Sequence, residues 1–330
     1  ERNSWTHDLR FFKGYDERDP RPPQYRALDI ALQVIRERDL GDKVGLELNM
    51  GTQSADRMVG EPTTPTQTFF DSFKKVCREV VDGTPALVEA RSIKTAQEIE
   101  RMRLANELAA LAMEYTRENM RPGMKESEVG AMYEGYVHGI GVGYKGKVEM
   151  ARAFTLVWSG PGIRTFTATG DRPIQKNEPT LLEIWVCADG YWTDLTKNAC
   201  PGELTREYHK LLDLLLNVFN EAIGYARGGA DFPGLDRLIR ARIAEAGYPG
   251  QPSHPICHGV GARAHEPPYA HQAGTGTMRE GMVLAIEPGI YWPQGGGLRL
   301  EDNFLITEKG NEKLGTYPDD FRLASSRLAI

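Results

Sequence analysis

HPICHGVGARAHEPP at residues 254–268, EGMVLAIEPGIYWP at 280–293 and GGGLRLEDNFLIT at 295–307 together form the stretch on which the fold turns. Three histidines, His254, His258 and His265, lie on a glycine-broken segment. Two carboxylates, Glu287 and Glu301, follow inside short apolar runs that read as strands. A carboxylate on an apolar strand is costly unless a cation or several hydrogen-bond donors meet it. Working outward, TLLEIWVCADGYWTDLTKN at 180–198 reads as a β-hairpin turning at Asp189-Gly190, with Glu183 on one arm and Asp194 on the other. Four carboxylates and a histidine on strand-like segments make an oxygen-rich set with one nitrogen, which suits a pair of hard or borderline divalent ions.

The order HxxxHG at 254–259, His265-Glu266, GMxxxIEPG at 281–289 and LRLED at 298–302 resembles the pita-bread metallopeptidases. That family includes methionine aminopeptidase, aminopeptidase P, prolidase and creatinase, and the likeness is to the branch of the last three. It covers roughly Ala90 to the C-terminus. The resemblance implies an α+β pita-bread catalytic domain with a pseudo-twofold repeat, in which Glu183, Asp194, His258, Glu287 and Glu301 hold two divalent ions. Mn, Co, Zn and Fe all accept such ligands. It further implies that Glu287 carries a proton during catalysis and that His265 and His254 hydrogen-bond the substrate or the tetrahedral intermediate. Tyr291 and Trp292 form a pocket wall, and Arg299 neutralises buried acid beside Glu301. Two departures from the family pattern stand out. The first ligand is ordinarily Asp and here is Glu183, and the place of a substrate-binding histidine falls near Phe166, with no histidine between His138 and His209.

Composition bounds the rest. A chain of 330 residues is long enough for two domains. A mean hydropathy of −0.45 with no apolar run near helix-spanning length argues against a membrane segment, and a net charge of −6 with no basic stripe argues against nucleic acid. The four cysteines show no CxxC spacing, which fits a reducing, cytoplasmic setting; Cys257, beside His258, reads as packing rather than nucleophile.

Residues 1–89 read as a small α/β domain in the order αβαβ, a shortened version of the N-terminal domain of the prolidase and creatinase branch. Helices open at Pro22-Pro23 and at Thr64-Pro65, the second with Phe69, Phe70, Phe73 and Val76 on one face. Residues 90–330 form the catalytic domain. Thr95 with Glu98 makes a capping box for a helix reaching about Asn119. A second helix runs through Val129, Tyr133 and Val137, and the pattern of long helix, Gly/Pro turn, short helix and strand recurs after Thr205. His138 reads as structural; His7 and His209 read as solvated, and His271 as part of a surface loop.

The resemblance leaves three functions open. One is a dimetal Xaa-Pro peptidase, dimeric and acting on a small peptide. Another is a hydrolase of a non-peptide C–N bond in a small metabolite, with Phe166 forming an apolar wall. The third is a silent pita-bread module that binds protein or peptide, which retention of the full acid and histidine set disfavours.

Overall fold

The computed structural model describes residues 7–13, 16–48, 66–164, 167–292 and 296–324. The described chain divides into two units, the first ending at Leu87 and the second opening at Val88.

In the first unit, α1 (Pro23–Glu37), β1 (Lys43–Leu46), α2 (Gln67–Lys74) and β2 (Glu79–Asp82) give the expected αβαβ order, and β1 pairs with β2 in parallel. The helix opening expected at Thr64-Pro65 falls outside the described residues; α2 follows an extended Thr66. The phenylalanine stripe turns inward, since Phe73 packs with Leu28, Leu32 and Cys77, and Phe69 lies against them.

The second unit begins within α3 (Thr84–Ser92) and continues through α4 (Ala96–Asn119), α5 (Glu126–Gly141) and β3 (Ala151–Ser159). Next come β4 (Thr180–Ala188), β5 (Tyr191–Trp192) and β6 (Leu195–Ala199). Thr95 caps α4 through the reciprocal bonds of a capping box with Glu98. The chain then repeats itself with α6 (Arg206–Tyr225), α7 (Phe232–Glu245), β7 (Cys257–Gly259), β8 (Glu266–Tyr269) and β9 (Val283–Ile286). A small hairpin, β10 (Gly289–Trp292) with β11 (Gly296–Arg299), precedes β12 (Asp302–Ile306) and β13 (Asn311–Lys313). The first copy forms a sheet in which β4 lies between β3 and β6. The second forms a sheet ordered β13-β12-β9-β7-β8.

The duplication is visible in the hydrogen bonds themselves. At the start of α5, Gly123 N–H donates to Ile174 and Glu126 N–H to Arg172; at the start of α7, Gly229 N–H donates to Met278 and Phe232 N–H to Gly276. In each copy the bridged segment leads into the central strand, β4 or β9, and that strand pairs antiparallel on both sides. The step along the chain that carries Ile174 to Met278 also carries Glu183 to Glu287.

Alternation along the strands sorts the side chains. Leu182, Ile184 and Val186 of β4 enter the core beneath α4 and α5, and Leu284 and Ile286 of β9 enter the core beneath α6 and α7. Glu183 and Glu287 have the opposite parity and face away from the helices. On β7, Cys257 joins the helix-side core, and His258 therefore points to the other face. Among the described residues, an isolated β-bridge between Thr196 and Glu301 lies at the seam of the two sheets.

Candidate metal centre

Of the acids expected on strands, only Glu183 sits within one. Asp194 lies between β5 and β6, Glu287 between β9 and β10, and Glu301 between β11 and β12. Local breaks explain this: Pro288 has no N–H to continue a ladder after Glu287, and Glu301 marks the point where the chain passes from the small hairpin to the large sheet. The breaks leave these carboxylates at strand ends, where they converge.

Asp194, His258 and His265 form one group whose ligand atoms lie within 4.8 Å of one another, and His258, Glu287 and Glu301 form a second. His258 Nε2 is 3.4 Å from Asp194 Oδ2 and 3.6 Å from Glu287 Oε1, and His265 Nε2 is 3.2 Å from Asp194 Oδ2. Glu183 belongs to neither group. Its Oε2 lies 2.6 Å from Arg299 Nη2, although it lines the same cavity of about 100 Å3 with His254, His258, His265 and Glu287. A wider groove of about 510 Å3 elsewhere is lined by Arg117, His209 and Arg322. Its arginines are already paired, Arg117 with Glu114 and Arg322 with Asp213 and Asp320.

The histidines are held by their backbones. His258 Nδ1 donates to the Gly259 carbonyl at 2.9 Å, which leaves the lone pair on Nε2 facing Asp194 and Glu287. Gly259 is required there, because a Cβ would lie 2.6 Å from the Pro267 carbonyl oxygen where β8 crosses. His254 Nδ1 donates to the Pro255 carbonyl at 2.6 Å, so its Nε2 accepts from the Tyr291 hydroxyl at 2.9 Å. His254 is thus engaged on both sides and steadies Glu287, 3.3 Å away. The other histidines take no part: His138 accepts from the Ala153 N–H, His271 is exposed, and His209 is half-buried beside Arg322 rather than fully solvated.

The electrostatics test whether the set fits a metal. Burial pushes the Asp194 and Glu287 carboxyls well above the usual range, with Glu301 adding to both, and raises Glu301 to about 7 against the pull of Arg299. Burial also depresses the histidines, His254 to about 3 and His265 to about 4 with Arg299 contributing, and His258 well below its ordinary value with His265 contributing. Crowded acids therefore lie against imidazoles that refuse a proton. Among the described residues neither Asp194 oxygen nor His258 Nε2 meets a hydrogen-bond partner, and the nearby Trp185 indole favours the Asp194 charge only weakly. One buried nitrogen and the two Asp194 oxygens without partners, with the Glu287 and Glu301 carboxylates beside them, fit divalent cations.

Several supporting residues carried no motif signal. Thr196 donates to Glu301 Oε2 at 2.7 Å and accepts from Arg299 Nε at 2.6 Å. Lys197 Nζ donates to the Glu301 carbonyl at 3.0 Å and pairs with Asp302 and Asp319. Lys94 forms a buried pair with Glu266, the neighbour of His265. Thr196 and Lys197 signalled themselves only as polar residues on a strand, and Lys94, in the link between α3 and α4, gave no signal. Phe166 lies outside the described residues.

The duplicated fold places the chain in the pita-bread class. A sequence model of metallopeptidase family M24 matches residues 100–308, and the chain belongs to that family. It is 31% identical over 227 residues to an uncharacterized peptidase of Staphylococcus saprophyticus, covering 69% of this chain and 63% of the relative. An uncharacterized peptidase of Staphylococcus haemolyticus is likewise 31% identical, with 72% of this chain and 66% of the relative covered. The chain thus spans just under two thirds of these relatives. Among solved structures it is similar to a prolidase from Pyrococcus furiosus, with a TM-score of 0.71 and 27% identity over 84% of this chain and 77% of the other. It is also similar to an Xaa-Pro dipeptidase from Bacillus anthracis, with a TM-score of 0.74 and 25% identity over 88% and 77%.

Proposed function

We propose that the chain is a dimetal-dependent hydrolase of an amide bond, an Xaa-Pro dipeptidase or an aminopeptidase P-like peptidase. The observation that carries this reading is the convergence of Asp194, His258, Glu287 and Glu301, with both Asp194 oxygens and His258 Nε2 lacking a hydrogen-bond partner among the described residues. Family membership, and the likeness to a prolidase and an Xaa-Pro dipeptidase, support the substrate class.

Asp194, His258, Glu287 and Glu301 would hold the ions, with Glu183 at the edge of the set. Bound there, divalent ions supply Lewis acidity and lower the pKa of water toward neutrality. The side chains do the rest. Glu287, at the cavity wall, takes the proton of the attacking water on a carboxylate oxygen and returns it to the leaving nitrogen. His265, neutral at physiological pH, donates a hydrogen bond to the carbonyl oxygen as it gains charge. His254 holds Tyr291 in place; Trp292, expected beside it in a pocket wall, instead packs on Tyr208 against the core beneath α6 and α7. From the resemblance we also take the protein to be a homodimer, which sedimentation of the purified chain would check, and from its cysteine usage we take it to be cytoplasmic.

The small cavity favours a second reading, cleavage of a non-peptide C–N bond in a small metabolite. A panel of Xaa-Pro dipeptides and small amides, assayed after loading with Mn or Co, separates the two. Protein that takes up no ion, or an Asp194→Asn variant that hydrolyses its substrate at the wild-type rate, overturns the metal-dependent assignment.

A further inference from the structure

We infer that Trp185 is a positioning residue of the centre, its indole N–H donating to the Asp194 carboxylate when that carboxylate holds an ion. This rests on the metal-dependent reading above. Backbone register brings the two side chains together. β4 pairs with β6 at Ile184–Leu195 and with β5 at Cys187–Trp192, and the same register sets Trp185 opposite Asp194. Strand alternation turns Trp185 to the face that carries Glu183, since Ile184 and Val186 enter the core beneath α4 and α5. Cross-strand neighbours on one face lie within side-chain reach. On its other side Trp185 stacks on Phe154, its partner on β3, with ring centroids 5.5 Å apart, and its ring lies 6.2 Å from that of His265. The indole is therefore held between Phe154 and the paired Asp194 and His265.

Both members of this cross-strand pair lack a hydrogen-bond partner. Trp185 is 3% exposed, and its Nε1 meets no acceptor among the described residues; Asp194 is 1% exposed, and neither of its oxygens meets a partner there. A buried indole N–H without an acceptor is costly, and so is a buried carboxylate without donors. The two needs answer each other, and the indole already favours the charged carboxylate. Asp194 Oδ2 is the oxygen that faces His258 and His265. An ion drawn to that side keeps Asp194 charged, and Oδ1 is left to accept from Trp185. Bonded in this way the carboxylate cannot swing about its own axis, and the ligand oxygen stays aimed at the two imidazoles.

Proton–nitrogen correlation spectra of chelator-stripped protein, labelled at the tryptophan indoles and titrated with Zn2+, test this. The chain has five tryptophans, and Trp185→Phe, which keeps a ring on Phe154 but has no N–H, identifies the Trp185 resonance by its loss. That resonance should move downfield as Zn2+ binds, as an N–H does on gaining a charged acceptor. By calorimetry Trp185→Phe should bind Zn2+ about 10–100-fold more weakly than the wild-type chain. If the variant does not fold, single substitutions of the other four tryptophans identify the resonance by elimination, and its shift decides the matter alone. A Trp185 resonance that stays in place while calorimetry records Zn2+ uptake, or a folded Trp185→Phe that binds Zn2+ as tightly as the wild-type chain, overturns the inference and leaves the metal-dependent reading standing. No Zn2+ uptake by the wild-type chain overturns both.

Discussion

Asn303 grips Asp194 on both sides of its backbone: its side-chain oxygen accepts from the Asp194 N–H at 3.3 Å, and its side-chain nitrogen donates to the Asp194 carbonyl at 2.8 Å. The amide thus pairs the two sheets where no strand ladder runs, and it sets the position of the carboxylate at the centre of the site. Asn303→Leu leaves both backbone groups buried without partners, so a loss of about 2–4 kcal/mol is expected in urea unfolding. Mn2+ affinity should fall about 10–100-fold, since the grip orients a ligand rather than supplying one. Unchanged affinity in a folded variant would show that Asp194 needs no such support.

Asp194 itself should show a trade between stability and binding. Burial and the neighbouring acids disfavour its charge, so Asp194→Asn is expected to stabilise the metal-free chain at neutral pH. Mn2+ at a hundred times its Kd should stabilise the wild-type chain by about 2.7 kcal/mol, and this gain should vanish in the variant. Thermal melts with and without Mn2+ read both effects, and a variant still stabilised by the ion would remove Asp194 from the ligand set.

Lys94 and Glu266 lie 2.8 Å apart with side chains 2% and 1% exposed. Lys94→Met strands a buried carboxylate next to His265, and a loss of about 3–5 kcal/mol is expected. Adding Glu266→Gln should restore much of that loss, because no charge is then left unpaired. A double variant as unstable as the sum of the two single variants would argue that the pair is not coupled.

Behind Glu301, burial alone would raise the Asp319 carboxyl, but Lys197 and Lys313 together hold it below its ordinary value of 3.8. A depressed carboxyl pKa contributes stability that is present above the unfolded value and is lost as pH falls through the folded one. The chain should therefore lose stability below about pH 4. Asp319→Asn should be less stable at neutral pH and show a shallower acid dependence, measured by denaturant midpoints across that range. Parallel pH curves would exclude Asp319 as the source.

Much of this architecture was legible because local chemistry repeats in local structure. Thr95 and Glu98 announced the start of α4, and Asp189-Gly190, both with positive φ, turned the β4–β5 hairpin as read. Of the five residues that the family resemblance implied as ligands, Asp194, His258, Glu287 and Glu301 fall in the two groups of converging ligand atoms and Glu183 falls in neither. What stayed hidden depends on contacts between residues far apart in sequence. Nothing near Asn303 says that it faces Asp194, and nothing near Glu183 says that Arg299 lies against it. The breaks that leave three acids between strands were also missed, although Pro288 was there to be read. The run through Glu287 looked continuous because hydropathy does not register a missing N–H.

The centre draws on both copies of the repeat, with Glu183 and Asp194 from the first and His258, Glu287 and Glu301 from the second. Each copy has its own helix-backed core, whereas the converging side chains come together only across the Thr196–Glu301 seam. Severed in the partly exposed link between β6 and α6, the chain would become a two-fragment reporter: neither piece alone would carry the whole ligand set, and recovered Mn2+ binding would count how often the halves found each other.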